Sequence, residues 1–189
     1  MNGLFLDPQS GEIIDFVHGQ TAIKQKLIIA IGNPADRFQE DRLRLLRAVR
    51  FQSQLNFEIE AQTLQAIGEK ASIVNSVSGE RILVELDKLI TGAYYDKALQ
   101  TLVQTGLLQQ LLGSEQVIWR SAHPYFRVLG SSSEERWVSF FVWLSVILKN
   151  GASLEFYERL CMTWKFSKDL KKKTLRSMQW IFEKDVFLN

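Results

Sequence analysis

From about residue 22 onward this 189-residue chain repeats one pattern: apolar residues three and four apart, in runs separated by Ser, Asp, Asn or Gly. "IEAQTLQAIGEKASIVNS", "SGERILVELDKLITG", "YYDKALQTLVQTGLLQQLLG", "SEERWVSFFVWLSVILKNG", "SLEFYERLCMTWKF" and "SKDLKKKTLRSMQWIFEK" all carry it. That spacing suits one face of a helix, and the joints hold the residue types that cap helices. The expected fold is mainly α, a helical array with no tandem repeat of constant period. "TAIKQKLIIAIG" reads as a helix ending at Gly32, "NPADRF" supplies a cap and an N-terminal proline, and 38 to 54 reads as one helix.

Only the beginning differs. "LFLDPQSGEIIDF" places two apolar runs around Asp7-Pro8-Gln9-Ser10-Gly11, which is turn chemistry, and predicts a short N-terminal β-hairpin. No later segment reads as a strand, and a two-stranded hairpin is marginal by itself. The chain is expected to begin inside a domain whose remaining sheet it lacks.

With 46% hydrophobic and 23% charged residues, the composition is that of a folded protein. The single cysteine, Cys161, excludes an internal disulfide and fits a reducing compartment. No apolar run approaches the ~20 residues of a membrane span, and "MNGLFLDPQSG" has no signal-peptide pattern, so a cytoplasmic location is expected. The net charge of +2 is unevenly spread. Residues 24 to 51 hold seven Lys/Arg against three Asp/Glu, and 165 to 184 hold seven against two, whereas 52 to 164 are acidic with nine against twelve. Two basic segments could grip phosphate, or could be solvated helix faces.

The first basic segment contains "RFQEDRLRLLRAVRF". On a helix Phe38, Leu45, Leu46 and Val49 fall on one buried arc, while Asp41, Arg44, Arg47 and Arg50 lie three apart along a slanted row. Such a row serves equally as surface ion pairs, worth only ~0.3 to 0.5 kcal/mol each, or as a ladder of donors for a ligand.

The longer stretch "IGNPADRFQEDRLRLLRAVRFQSQLNFEIEAQTL" resembles the nucleotide-recognition segment of class II tRNA nucleotidyltransferases, the CCA-adding enzymes, and of their poly(A) polymerase relatives. Their Glu-Asp-x-x-Arg signature is present as Glu40-Asp41-Arg42-Leu43-Arg44, and their Leu-Arg-Ala-x-Arg-Phe run as Leu46-Arg47-Ala48-Val49-Arg50-Phe51. Asp7, Gly11 and Asp15 resemble the family's hinge between catalytic head and helical neck, and "VSGERILVELDKLI" its later neck motif, with Glu80, Arg81 and Glu85 in place. The resemblance is strong over about 2 to 90 and faint over 91 to 189. The family's Arg-Arg-Asp-Phe-Thr segment, which would precede Asn2, its Gly-Gly-x-x-Arg-Asp motif and its Asp-x-Asp metal pair are absent. The resemblance therefore implies a truncated product, a split gene or a mis-started reading frame: 1–21 a remnant of the head, 22–92 the neck with nucleotide recognition and RNA binding, 93–189 the helical body and tail.

It further implies transfer of CMP and AMP from CTP and ATP to tRNA 3′ ends, with Mg²⁺ held by the absent head, which could be separately encoded, and no catalytic residue in this chain. Asp41 and Arg44 would act as a protein template, Arg47 and Arg50 would approach ribose and phosphates, and Glu40 would orient Arg44 or a neighbour. The tail's Lys171, Lys172, Lys173 and Arg176 would contact the tRNA backbone. A non-catalytic helical RNA-binding module and a poly(A) or A-only polymerase are the alternatives. His18 and His123 lack metal-ligand spacing, so no metal site is assigned here, and Trp119, Trp137, Trp143, Trp164 and Trp180 read as core.

Overall fold

The computed structural model describes residues 3–113, 115–128, 132–148 and 152–183; Asn2, Lys184 and the His123 side chain lie outside the described residues. Two strands open it: β1 (Leu4–Leu6) and β2 (Ile13–Asp15) pair antiparallel, with Leu4 opposite Asp15. Asp7 builds the turn, its Oδ1 accepting from Gln9 N at 2.8 Å and its Oδ2 from Ser10 Oγ at 2.9 Å. Gly11 completes it at φ +71°, a conformation that side chains resist. Asp15 accepts N–H bonds from Val17, Gly19 and Gln20, tying β2 to the start of α1 (Gly19–Lys24). Among the described residues no third strand joins the hairpin, and Phe5, Leu6, Ile13 and Phe16 are each more than half exposed.

The expectation that no later strand exists is overturned. β3 (Leu27–Ile28) pairs in parallel with β4 (Glu58–Ile59), closed by Glu58 N to Lys26 O at 2.9 Å and Glu60 N to Ile28 O at 3.0 Å. The helix expected through 22–31 therefore stops at Lys24: Lys26 turns the chain at φ +55°, and the β-branched Ile28 and Ile29 suit the extended backbone that follows.

The single helix expected over 38 to 54 is in fact two. α2 (Pro34–Glu40) starts at the Asn33 cap, whose side chain accepts from Ala35 N and Asp36 N, and α3 (Arg44–Leu55) begins four residues after α2 ends. Between them Asp41 is extended, at φ −141° and ψ 100°, with its Oδ1 accepting from Leu43 N at 3.2 Å. That local bond competes with helix continuation, and burial of Leu43 fixes the bend.

The rest is helical as expected: α4 (Ala61–Glu69), a 3₁₀ helix (Ala71–Ser76), α5 (Gly79–Ile90), α6 (Tyr95–Gln104), α7 (Leu107–Leu111), α8 (His123–Val128), α9 (Ser133–Ile147), α10 (Leu154–Thr163) and α11 (Lys168–Glu183). α3 packs on α5 and α6, burying Leu45, Leu46 and Val49 against Leu86, Leu89 and Leu99. α9, opened by a Ser132–Glu135 capping box, is apolar all round and every residue from Trp137 to Leu144 is buried. Trp137 is its centre, packing on the rings of Trp164 and Phe166 at 5.9 and 4.7 Å. Trp143 and Trp164 are equally enclosed, Trp119 is half-buried, and Trp180, expected in the core, is 57% exposed. Cys161 is buried and its thiol is pushed up to about 12 by that burial, so it is an inert core residue. No helix among the described residues is long and apolar enough to cross a membrane.

Two glycines set close approaches between helices. A Cβ on Gly92 would sit 1.9 Å from Ser53 Oγ, and one on Gly79 would sit 1.9 Å from Thr163 O, so the start of α5 abuts the end of α10. α5 thus touches both halves of the molecule and holds the back of α3.

Candidate functional site

Because Leu45, Leu46 and Val49 face the core, α3 turns Arg44, Arg47 and Arg50 the other way. There they meet the extended Ile28–Ile31 segment and α2 around a cleft of about 400 Å³. Four arginines (Arg37, Arg44, Arg47, Arg50) and one carboxylate (Asp41) line it, with Ile29, Ile31, Phe38 and Phe51 as apolar wall. A cleft of this kind accepts a flat, partly apolar and anionic ligand.

The structure holds each charged group from a different direction. Glu40 accepts from Arg37 Nη1 at 2.8 and 3.0 Å and from Arg44 Nη1 at 2.9 Å. These guanidiniums, Arg37 first, hold its carboxyl below the usual glutamate range. Arg44 Nη1 also donates to Arg37 O at 3.1 Å, and Arg37 Nε to Ile31 O at 2.8 Å. The Asp41 carboxylate does not pair with the Arg44 guanidinium, although Arg44 N donates to Asp41 O at 3.0 Å. Since it precedes α3 instead of belonging to it, its Oδ1 instead accepts from Arg81 Nη2 of α5 at 3.0 Å, leaving Oδ2 unpartnered among the described residues.

Arg47 and Arg50 converge on Glu85, whose Oε1 lies 3.4 Å from Arg47 Nε and whose Oε2 lies 3.2 Å from Arg50 Nε. Arg50, with its side chain 11% exposed and stacked 4.0 Å over the Phe51 ring, is locked, whereas Arg47 is 48% exposed. The expected single row of Asp41, Arg44, Arg47 and Arg50 is therefore three arginines on α3, with Asp41 approaching from the bend.

Glu85, Arg81 and Arg37 had no individual role in the sequence reading. One signal was present: Ile82, Leu86 and Leu89 define the core arc of α5, and Glu85 falls on it, so a carboxylate occupies a leucine's place and requires buried cations opposite.

At the second basic segment, Lys168, Lys172 and Arg176 are exposed four residues apart on α11, followed by Trp180 at the same spacing. Lys171 is half-buried, and Lys173 is occupied by Asp169 at 3.1 Å and Glu134 at 3.3 Å, which raise its ammonium pKa. Among the described residues no three His, Cys, Asp or Glu side chains gather as a metal site. The carboxylates of the hinge candidates Asp7 and Asp15 are taken up by turn and helix-start hydrogen bonds, so they do not fit Mg²⁺.

The architecture is that of the helical portion of a nucleotidyltransferase. It superposes on the crystal structure of Bacillus stearothermophilus CCA-adding enzyme in complex with CTP with a TM-score of 0.74 and 29% identity, covering 95% of this chain and 44% of that one. A family model described as the probable RNA and SrmB-binding site of polymerase A matches residues 56–116. The CCA-adding enzyme of Bacillus velezensis is 39% identical over 170 residues, 88% of this chain and 41% of that protein. That of Bacillus subtilis is 42% identical over 145 residues, 75% of this chain and 36% of that protein. The chain belongs to the CCA-adding enzyme and poly(A) polymerase family, and spans less than half the length of these relatives.

Proposed function

We propose that this chain supplies the nucleotide-choosing and RNA-holding helices of an enzyme that adds CMP and AMP, from CTP and ATP, to tRNA 3′ ends without a nucleic-acid template. The α3 cleft carries the reading. Cytosine and adenine each present an amine donor beside a ring-nitrogen acceptor; Asp41 keeps Oδ2 free to accept, and Arg44 keeps Nε and Nη2 free to donate. Uracil and guanine would leave buried polar groups unpaired, at ~1 to 3 kcal/mol per group. Glu40 orients Arg44, Arg47 faces the phosphates, and Arg50 braces the row.

In this reading 1–21 is hinge and head remnant, with Asp7, Gly11 and Asp15 shaping it; 22–92 recognises nucleotide and RNA; 93–189 is body and tail, with Lys171, Lys172, Lys173 and Arg176 toward tRNA. Mg²⁺, which in such a transfer activates the attacking hydroxyl and shields pyrophosphate, requires carboxylates outside the described residues. The setting is cytoplasmic.

The test is incorporation of labelled CTP and ATP into tRNA lacking its 3′ end, comparing this chain alone with the chain plus a separately expressed head domain. Incorporation is expected only with the head. Activity by the chain alone overturns the division of labour, and inactivity of both overturns the function.

A further inference from the structure

We propose that Glu85 is a positioning residue for anion recognition in the α3 cleft: it anchors Arg47 by Nε and thereby aims that residue's terminal nitrogens at the ligand. The inference rests on the nucleotide-recognition reading above and goes beyond it by giving α5 a part in it. Glu85 is 4% exposed and sits on the apolar arc of α5 between Ile82 and Leu89. A leucine there would pack without desolvating a charge, so a carboxylate at this place needs a reason beyond filling space.

Its two oxygens face two guanidiniums that are not equivalent. Arg50 also lines the cleft, but its side chain is only 11% exposed and stacked on Phe51, so it is held in the wall. Arg47 is half exposed, lines the cleft, and is bound to protein through Nε alone, so both terminal nitrogens are without partners among the described residues. A guanidinium pinned at Nε keeps its terminal fork in one orientation, and a ligand then meets it without having to order it. Arg50 supplies the second positive charge that makes burial of Glu85 tolerable, as an ion pair at 3.2 Å without hydrogen-bond geometry.

The proposal makes a prediction of sign. If Glu85 merely balanced charge in the fold, deleting its negative charge beside an anion site would tighten anion binding. If it positions Arg47, deletion weakens binding in spite of the more favourable charge.

The experiment titrates the 189-residue chain, at low salt, with CTP, UTP and inorganic tripolyphosphate, for wild type, Glu85→Leu, Arg47→Ala and the double variant; leucine removes the acceptor as well as the charge. Glu85→Leu should weaken CTP and tripolyphosphate about three- to tenfold, the worth of one ordered charge-assisted hydrogen bond, with the CTP-to-UTP ratio unchanged. In the Arg47→Ala background it should weaken neither further. Unchanged or tighter binding by Glu85→Leu, or weakening that persists without Arg47, overturns the proposal. If Glu85→Leu does not fold, Arg47→Lys makes the same comparison, keeping the charge while losing the Nε anchor; wild-type affinity in that variant is equally fatal. Failure of the wild type to bind CTP, or indifference of both ligands to Arg47→Ala, defeats the recognition reading itself.

Discussion

The indole N–H of Trp137 donates to Asp87 Oδ1 at 2.9 Å, joining the most enclosed helix of the molecule to the helix that backs the arginine cleft. Ser133 Oγ donates to the same oxygen. Asp87→Ala should therefore cost about 2 kcal/mol, the range for a hydrogen bond to a charged group, and Asp87→Asn less because an amide oxygen still accepts. Urea unfolding followed by tryptophan fluorescence reads the difference; equal stabilities for wild type and Asp87→Ala would make the bond incidental.

Nucleotide choice offers a second check, made with the head domain supplied. Asp41→Ala or Arg44→Ala should relax discrimination against UTP and GTP by ~1 to 3 kcal/mol, because each removes one of the two groups that a wrong base leaves unpaired. Arg47→Ala should depress kcat/KM for all four nucleotides alike, since the proposed reading assigns its free nitrogens to phosphate. An equal loss across nucleotides for Arg44→Ala would end its role as template.

The α11 stripe predicts an unequal response among its lysines. Counterion release assigns roughly one unit of salt slope to each phosphate contact, so Lys172→Gln and Arg176→Gln should each flatten the salt dependence of tRNA affinity by about that much. Lys173→Gln should matter less, because Asp169 and Glu134 already occupy its ammonium. A slope indifferent to Lys172 and Arg176 would reduce the stripe to a solvated face.

Acid should release Arg44 late. The Glu40 carboxyl is held below its ordinary value of about 4.3 in the folded state, so its contribution is present above that pH and is lost as pH falls through the lower folded value. Carboxyl titration by NMR should place the Glu40 midpoint below the ordinary glutamate value. Arg37→Ala should raise it more than Arg44→Ala, because Arg37 makes two contacts and Arg44 one. The opposite order would contradict the geometry.

Much of this fold was legible because helices announce themselves by period: Leu45, Leu46 and Val49 on α3 and Ile82, Leu86 and Leu89 on α5 are buried as their spacing demands. What escaped was set by single residues acting against the period. Lys26 at positive φ and Asp41 bonding to Leu43 N each interrupt an apparently continuous helix, and neither effect shows in apolar spacing. The parallel pairing of β3 and β4 joins segments about thirty residues apart, which no local pattern encodes. At the site, the arginines and the Glu40 that holds Arg44 were visible; the roles of Arg81 and Glu85, seen only as parts of a neck motif, were not, because they meet α3 only through the packing of α5, although a glutamate on an apolar arc was the clue. Trp180 is exposed because α11 packs its apolar side on α9 and α10, and Trp180 lies off that side.

α3 carries its core residues and its arginines on opposite sides of one cylinder, and this links two kinds of error. A single residue inserted between Leu43 and Arg44 would turn everything downstream by ~100°. It would move Leu46 to the half-exposed place of Arg47 in the same stroke that carried Arg44 and Arg47 into the buried places of Leu45 and Ala48. A gene copied with such a slip is expected to yield an unstable chain instead of a stable protein with an altered cleft. Helical register serves here as a proofreading device for whatever the cleft reads.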